Sequence, residues 1–336
     1  MNDSKKAKWG ILGTANIARK KLIPGLRDSK SSEFYAIASR DSTKAESFAE
    51  EFEVPKSYGS YEQLLDDPEV EFVYIPLPNN LHHKWTIESA KKGKHVLCEK
   101  PLGTSVAEVE EMFEAAEENR VKLMEAFMYR LHPQVLRVKE LLEEGEIGEP
   151  RFFRGAFSFS LITQQDRNDD IRWEEKMEGG SLMDVGTYPL NTVRYLFGEE
   201  PVRVFARSST HPDHTAEAET QAILEFPEGK TAVIDSSFLL RHRANYEVVS
   251  KTGALRASDA YGPRTYKRLT VEIESGNSRE VETLEGVNEY ALEVDELVNA
   301  ARDDREPQIT REDSLNNMKV LRKIKESAER ESWVVV

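Results

Sequence analysis

In the first third of the chain, short continuous apolar runs alternate with amphipathic helical segments. The apolar runs cover residues 9–12, 34–39, 72–75, 95–98 and 122–126, and the helical segments include 44–52, 81–92 and 106–119. Apolar runs without polar alternation are typical of strands that are buried on both faces of a sheet. Strands that alternate with helices form parallel sheets. We therefore predict an α/β domain of the Rossmann type, with a doubly wound parallel sheet.

The pattern changes near residue 150, where strand-like runs begin to follow one another directly. These runs cover 151–161, 201–208, 220–226, 231–238, 244–250 and 265–273, with turn-forming residues at 227–230 and 274–277. Consecutive strands with short turns indicate an antiparallel sheet. Helical segments are expected at 182–197, 287–303 and 313–330. The prediction is an α+β domain with a large, open, mostly antiparallel sheet, so that residues 1–127 and 128–336 form two domains.

The composition argues against several classes of protein. The formal net charge of -15 disfavours binding to nucleic acids or anionic membranes, because both select basic surfaces. No apolar stretch approaches the roughly 18 residues that a membrane-spanning helix needs. The first residues show no signal-peptide pattern, and Cys98 is the only cysteine, so no intramolecular disulfide can form. We expect a cytoplasmic globular protein.

A glycine-containing loop, from Gly10 to Ala18, leaves the first predicted strand and enters a helix. At this position a dinucleotide pyrophosphate binds backbone N–H groups and the positive end of the helix. Against the pattern G-x-G-x-x-G/A, Ala15 stands where the middle glycine is expected. An ordinary strand–helix turn is the alternative. The candidate pyrophosphate-binding residues are Gly13, Thr14, Ala15, Asn16 and Ile17.

The end of the second predicted strand, Ser39-Arg40-Asp41, bears on the choice of cofactor. An NAD enzyme usually places an acidic residue here to bind the ribose hydroxyls. Ser39 followed by the guanidinium of Arg40 suits the additional phosphate of NADP. In the alternative interpretation, Arg40 is a solvated surface charge and Asp41 binds the ribose of NAD. We predict NADP as the cofactor, with NAD as the alternative.

A segment at 76–83 follows the third apolar run and precedes a helix, a position that faces the cofactor in doubly wound folds. Its candidate cofactor contacts are Pro76, Leu77, Asn79 and His82. The alternative is structural, with Asn79 or Asn80 capping the helix and His82 packing in its first turn.

Glu99-Lys100-Pro101 follows the next strand at the same end of the sheet. A lysine there would point into the cofactor crevice, and Pro101 would stiffen the turn that presents it. Taken alone, Lys100 could equally be a surface lysine. Glu99 and Lys100 are the candidates for contact with the cofactor.

A third segment, 179–189, lies in the second predicted domain. Ser181 can cap a helix after the pair Gly179-Gly180. Asp184 and Tyr188 are then four residues apart and share one face of that helix. A carboxylate and a phenol presented together suit substrate orientation and proton transfer. The alternative is a buried tyrosine whose hydroxyl is satisfied by Asp184.

In combination, the glycine loop, Glu99-Lys100-Pro101 and the stretch from Asp184 to Tyr188 resemble the Gfo/Idh/MocA oxidoreductase family, nearly from end to end. Two further stretches resemble the branch that holds NADP-dependent D-xylose dehydrogenases, glucose–fructose oxidoreductases and dimeric dihydrodiol dehydrogenases. They are Glu125-Ala126-Phe127-Met128-Tyr129-Arg130-Leu131-His132-Pro133 and Asp170-Ile171-Arg172-Trp173.

The resemblance implies roles for individual residues. Lys100 would be the catalytic lysine and Tyr188 the proton donor or acceptor, while Asp184 could bind a substrate hydroxyl. Arg172 and Trp173 would approach the cofactor, and no metal ligands are expected. The first domain would then bind NADP. The second would bind substrate and form a homodimer or homotetramer through its sheet.

The activity implied is NADP-dependent oxidation of the C1 hydroxyl of an aldose, of the xylose or glucose type, to a lactone. A nearby ammonium such as that of Lys100 would favour the phenolate of Tyr188. Two alternatives belong to the same enzyme class: a glucose–fructose oxidoreductase with tightly bound NADP(H), or a trans-dihydrodiol dehydrogenase. A non-catalytic dinucleotide-sensing regulator is the alternative from another class. Such a regulator could dispense with Lys100 and Tyr188.

Overall fold

The computed structural model describes residues 5–162, 170–262 and 265–336. Its strands are β1 Ala7–Leu12, β2 Ser32–Ala38, β3 Lys56–Tyr58, β4 Phe72–Ile75, β5 His95–Glu99, β6 Leu123–Ala126, β7 Pro150–Ser158, β8 Arg203–Thr210, β9 Glu217–Glu225, β10 Thr231–Ser237, β11 Arg243–Ser250, β12 Gly253–Ala257, β13 Leu269–Ser275, β14 Ser278–Leu284 and β15 Val334–Val335.

The helices are α1 Ile23–Asp28, α2 Ser42–Phe52, α3 Tyr61–Leu65, α4 Asn79–Lys91, α5 Val106–Glu118, α6 Pro133–Glu143, α7 Thr187–Phe197, α8 Glu289–Arg302 and α9 Arg311–Arg330. Two π-helical segments, Ala18–Leu22 and Leu182–Gly186, lead directly into α1 and α7. Within the described residues, no helix is both long and apolar enough to cross a membrane.

The first unit is built on a six-stranded sheet in the order β3-β2-β1-β4-β5-β6. Every pairing in it is parallel. All four residues of β4 and of β6 are buried, as expected for strands covered on both faces. The predicted doubly wound Rossmann sheet is confirmed. The short strand β3 was not predicted, because only three residues form it.

The first unit contains residues up to Met128 together with Asn288–Leu315. The sequence pattern had placed 288–315 in the second domain. The reason for the difference is the packing of α8 on α1. A Cβ atom added to Gly25 would lie 2.7 Å from Cβ of Tyr290, so the glycine allows the helix backbones to approach closely. The Asn288 side chain also donates to Asp28 at 2.6 Å.

The second unit contains Tyr129–Val287 and Asn316–Val336. Its nine-stranded sheet has the order β14-β13-β12-β11-β7-β10-β9-β8-β15. The pairing of β10 with β7 is parallel and the others are antiparallel, so the predicted large, mostly antiparallel sheet is confirmed. The strands β12 and β14 and the helix α6 were not predicted.

One face of this sheet is buried beneath the helix that runs through Leu182–Gly186 and α7. On β9, Ala218, Ala222 and Leu224 are buried, whereas the intervening Ile223 is 41% exposed. This alternation leaves the other face of the sheet open. The covering helix is mostly buried, which holds its two polar candidates, Asp184 and Tyr188, against a rigid surface.

Candidate active site

The glycine loop contacts the turn that follows β4. Gly13 has φ +98°, and a Cβ atom added there would lie 3.1 Å from Cδ2 of Leu77 and 3.5 Å from the hydroxyl of Tyr61. Only glycine combines that backbone conformation with such close neighbours. Of the other loop candidates, Thr14, Ala15 and Ile17 are half-buried and Asn16 is exposed. The loop backbone therefore packs closely against the turn after β4 and against α3, and its binding of a pyrophosphate stays a prediction.

The two charged residues after β2, Arg40 and Asp41, have different surroundings. Asp41 caps α2, since its Oδ1 accepts hydrogen bonds from the N–H groups of Thr43 at 3.0 Å and Lys44 at 3.3 Å. Arg40 is exposed and lies near Tyr61. Burial raises the pKa of Tyr61, and the guanidinium of Arg40 opposes that rise. The acidic residue therefore already has a structural role, while the basic one is exposed beside Tyr61.

Tyr61 is a site residue that sequence reasoning missed. It is the first residue of α3, which Ser60 caps, and its ring packs edge-on against Trp85 at 4.8 Å between centroids. The hydroxyl lies beside the glycine loop and Arg40. The Ser60 cap was a local signal for this helix, but nothing in the sequence showed that the helix faces Gly13.

His82 joins two of the predicted segments. It is fully buried, and its ring nitrogens lie 2.8 Å from the carbonyl oxygen of Leu77 and 2.9 Å from that of Pro101. Burial lowers its pKa, although both carbonyls favour the protonated ring. The side chain thus holds the turn after β4 against the turn after β5. A direct contact of His82 with the cofactor remains a prediction.

The alternative interpretation of Asn79 as a helix cap is wrong. The cap position of α4 is occupied by Pro78, with no side-chain hydrogen bond, and Asn79 is the first helical residue. It is half-buried, as is Leu77, whereas Pro76 is buried. The contact between Asn79 and the cofactor stays a prediction.

Glu99-Lys100-Pro101 stands at the carboxyl end of β5, where Glu99 and Lys100 are half-buried. The Lys100–Pro101 peptide bond is cis. Glu99 accepts a hydrogen bond from the hydroxyl of Tyr74 on β4. Burial raises the pKa of Tyr74, and the charge of Glu99 raises it further, so the phenol remains a donor.

Glu125 on β6 supports the same turn from the other side. Its Oε1 accepts the N–H of Leu102 at 2.9 Å, and its side chain is buried. Glu125, which the sequence analysis names without a role, and Tyr74, which it does not name, therefore hold this turn in place. The glycine loop, the 76–83 segment and the Lys100 turn all lie together at the carboxyl ends of parallel strands, as predicted.

In the second unit, the capping role predicted for Ser181 is wrong. Ser181 already has helical backbone angles and makes no side-chain cap. Its hydroxyl donates instead to Oε2 of Glu217 at 2.8 Å. The first free N–H of the helix, that of Leu182, is satisfied by Oε1 of the same carboxylate. The acceptor comes from β9, which is distant in sequence.

Asp184 belongs to an ionic network within the second unit. Arg172 donates to Oδ2 of Asp184 at 3.1 Å, and to both oxygens of Asp170 at 2.9 and 2.7 Å. Burial would raise the pKa of Asp170, but hydrogen bonds from Arg172 lower it overall. A charge-assisted contact of this kind fixes the orientation of the Asp184 carboxylate. The predicted contact of Arg172 with the cofactor is not tested by this network.

Trp173 packs in the interior of the same unit. It is 2% exposed, stacks on His214 at 4.1 Å between centroids, and meets Phe238 edge-on at 5.3 Å. It belongs to a hydrophobic cluster with Leu161 and Val185. These contacts give the indole a packing role, while its approach to the cofactor remains a prediction.

Tyr188 is 5% exposed and lies among aromatic rings. Its ring centroid is 5.2 Å from that of Phe157, 5.5 Å from that of Tyr129 and 5.8 Å from that of Tyr261. The π-helical turn Leu182–Gly186 precedes it and contains Asp184. Such turns are rare and occur frequently at functional sites. Across the described residues, no group of three His, Cys, Asp or Glu side chains is arranged to hold a metal ion.

Comparison with known proteins identifies both halves of the chain. Residues 7–127 match the oxidoreductase family with the NAD-binding Rossmann fold, and residues 135–256 match the GFO/IDH/MocA C-terminal domain. The NADP-dependent D-xylose 1-dehydrogenase 2 of Haloferax volcanii is 39% identical over 96% of this chain and 97% of its own length. A dTDP-3,4-didehydro-2,6-dideoxy-α-D-glucose 3-reductase of Actinomadura kijaniata is 32% identical over 95% of both chains.

Solved structures show the same relationship. The Actinomadura kijaniata 3-ketoreductase KijD10, in complex with NADP and TDP-benzene, superposes with a TM-score of 0.90 at 31% identity, over 96% of this chain and 98% of that one. The aldose-aldose oxidoreductase of Caulobacter crescentus, complexed with glycerol, gives a TM-score of 0.90 at 28% identity, over 99% and 100%. The resemblance predicted from the motifs is confirmed: this chain belongs to the GFO/IDH/MocA oxidoreductase family.

Proposed function

We propose that this enzyme oxidises the C1 hydroxyl of an aldose to a lactone with NADP as hydride acceptor. The choice of NADP is supported by the segment after β2. There Asp41 caps α2, and Arg40 is the residue that would bind the 2′-phosphate. The sugar part is supported by the 39% identity to a D-xylose 1-dehydrogenase across nearly the whole chain.

The residues of the first unit fit a bound dinucleotide. Gly13, at φ +98°, lets the loop backbone approach Leu77 and Tyr61 closely, and we assign the pyrophosphate to Gly13 together with Thr14, Ala15, Asn16 and Ile17. Ser39 and Arg40 would hold the 2′-phosphate, with Tyr61 beside them. Pro76, Leu77, Asn79, His82, Glu99 and Lys100 would line the nicotinamide end, while Arg172 and Trp173 are predicted contacts from the second unit. When bound, NADP supplies the carbon that accepts hydride.

The chain itself must move one proton and orient the sugar. We assign proton removal from the C1 hydroxyl to the phenolic oxygen of Tyr188, as the C1–H bond breaks and the C1–O double bond of the lactone forms. Asp184, held by Arg172 at 3.1 Å, would accept a hydrogen bond from a second sugar hydroxyl. Lys100 would contribute positive charge at the end of β5, which favours the ionised forms of acidic groups near the reacting hydroxyl.

Initial-rate measurements test these roles. D-xylose, D-glucose, an inositol and a trans-dihydrodiol are each supplied with NADP or NAD, and absorbance of the reduced nicotinamide is followed. Lys100→Met and Tyr188→Phe should each lower turnover by about 10²-fold or more. Lys92→Met and Tyr35→Phe are matched controls away from the site and should behave as the parent chain does. Near-normal rates in both site variants would refute the assignment.

The cofactor assignment has its own test. Replacing Arg40 with alanine should raise KM for NADP by about 10- to 100-fold, because a charge-assisted hydrogen bond to phosphate contributes about 1.5–3 kcal/mol. KM for NAD should change little. An equal loss with both cofactors would show that Arg40 does not read the 2′-phosphate.

A second candidate activity is the reduction of a keto group on a nucleotide-linked sugar. It is favoured by the similarity to the Actinomadura reductase, at 32% identity and 95% coverage. Oxidation of NADPH with a dTDP-linked 3-keto sugar, but not with free aldonolactones, would identify it. A glucose–fructose oxidoreductase would instead purify with bound nicotinamide and turn over without added NADP.

We further propose that the open face of the nine-stranded sheet forms a homodimer or homotetramer. Phe205, Ile223 and Val233 stand side by side on β8, β9 and β10, and Ile223 is 41% exposed. Phe205 and Val233 are half-buried, and an apolar row that is partly exposed in this way is typical of an interface. Light scattering after gel filtration should show an oligomer that Ile223→Glu converts to monomer. A cytoplasmic location stays a prediction from the sequence.

A further inference from the structure

The helix that carries Asp184 and Tyr188 begins on a carboxylate from another element. Glu217, the first residue of β9, accepts the N–H of Leu182 with one oxygen and the hydroxyl of Ser181 with the other. The hydroxyl of Ser181 also lies 2.9 Å from that of Ser236 on β10. The first turn of the helix is therefore attached to β9 through the carboxylate of Glu217 and to β10 through the hydroxyl of Ser236.

The backbone before the helix is shaped to admit this carboxylate. Gly180 has φ +106°, and a Cβ atom added there would lie 2.6 Å from Oε1 of Glu217. The N–H of Gly180 donates to the carbonyl oxygen of Arg172 at 2.9 Å, and its own carbonyl accepts the N–H of Asp184 at 3.1 Å. The turn that touches Glu217 thus also fixes the backbone of Asp184.

The groups around Glu217 only partly offset the cost of burying its charge. Burial raises the pKa of Glu217 to about 7, and the hydrogen bonds from Leu182 and Ser181 lower it only in part. The charged group that faces it from α9 is Lys325, which favours the ionised form. Lys325 and its neighbour Arg322 are both bound at 3.3 Å by Glu178, which reduces the charge available to Glu217.

We propose that Glu217 is a positioning residue for the reaction: its ionised carboxylate holds the first turn of the helix and thereby places Asp184 and Tyr188. The inference rests on the proposed roles of those two residues. An ionised carboxylate accepts both hydrogen bonds, whereas a protonated one turns one oxygen into a donor. Proton binding should therefore remove one of these hydrogen bonds while the side chain stays buried, which loosens the start of the helix and reduces turnover. It also lowers the cost of burying Glu217, so its effect on the stability of the whole unit has the opposite sign.

Hydrogen–deuterium exchange tests the positioning without any substrate. After correction for intrinsic exchange rates, the amides from Leu182 to Tyr188 should become more protected as the pH rises through about 7. Glu217→Gln should abolish this step, because an amide does not ionise in that range. Glu219→Gln, on the same strand, is the matched control and should retain the step, since its carboxylate accepts from Ser237 instead.

Turnover gives the second measurement. The parent chain should lose kcat as the pH falls through about 7. Glu217→Gln should show a flatter profile with kcat about 10-fold lower at pH 8, equivalent to about one hydrogen bond. KM for NADP should be unchanged.

The possible results separate the two hypotheses. An exchange step that requires Glu217, together with no turnover of any aldose, would refute the proposed substrate and leave the anchoring of the helix standing. A Gln variant with the exchange pattern and pH profile of the parent chain would overturn the role of Glu217, whatever the substrate proves to be.

Discussion

Replacing Gly180 with alanine should destabilise the second unit through two additive effects. At φ +106° a side chain strains the backbone by about 1–3 kcal/mol. The new Cβ atom would also lie 2.6 Å from Oε1 of Glu217, so the carboxylate must move away from its hydrogen-bond donors. Losing one such bond costs about 1–2 kcal/mol. We expect a total of about 2–5 kcal/mol.

Thermal unfolding followed by circular dichroism measures this change. For a unit of this size, about 3 kcal/mol corresponds to a fall in Tm of roughly 6–12 °C. Gly145→Ala is the control, because Gly145 belongs to the same unit and has φ +75° with nothing within 4 Å of an added Cβ. That variant should show only the backbone strain, so the difference between the two reports the contact with Glu217.

A double-mutant cycle isolates the contact itself. Glu217→Ala removes the carboxylate, so Gly180→Ala should cost no more in that background than Gly145→Ala costs in the parent chain. Equal destabilisation by Gly180→Ala with and without the carboxylate would show that the contact does not exist. A Gly180→Ala variant as stable as Gly145→Ala would lead to the same conclusion.

Two further predictions concern the dependence of stability on pH. The folded-state pKa of Asp170 is lowered, so its contribution is present above the unfolded value near 3.9 and is lost as the pH falls below it. Asp170→Asn should therefore lose less stability than the parent chain between about pH 4 and 2, in acid-unfolding measurements. The folded-state pKa of Glu217 is raised to about 7, so its contribution is full below the unfolded value and is lost as the pH rises through 7. Glu217→Gln should gain stability relative to the parent chain between about pH 5 and 8, even though its turnover falls. A stability difference that does not vary with pH would exclude each linkage.

The elements of the fold that could be predicted were those with strong local patterns. The buried strands β4 and β5 and the amphipathic helices α2 and α5 carry their signal within a few consecutive residues. The strands β3, β12 and β14 have no such local signal. Each is short or is stabilised mainly by its pairing with a neighbouring strand.

The residues of the candidate site also fall into those that local patterns predict and those that they do not. Gly13 and Lys100 follow strands directly, so topology alone places them at the carboxyl edge of the sheet. Glu217 and Tyr61 act through contacts with residues far away in the sequence, and no local pattern marks them. The prediction for Ser181 shows what local patterns cannot give. A serine before a helix resembles a cap, but the acceptor for the N–H of Leu182 is Glu217 on β9.

The packing of α8 against α1 has a consequence for the order of folding. Most of the second unit, Tyr129–Val287, is inserted between Met128 and Asn288, so the first unit lacks α8 until most of the chain has been synthesised. Until then the surface of α1 around Gly25, shaped for Tyr290, is uncovered. The nucleotide-binding unit is therefore completed only when α8, which is distant in the sequence, packs on α1.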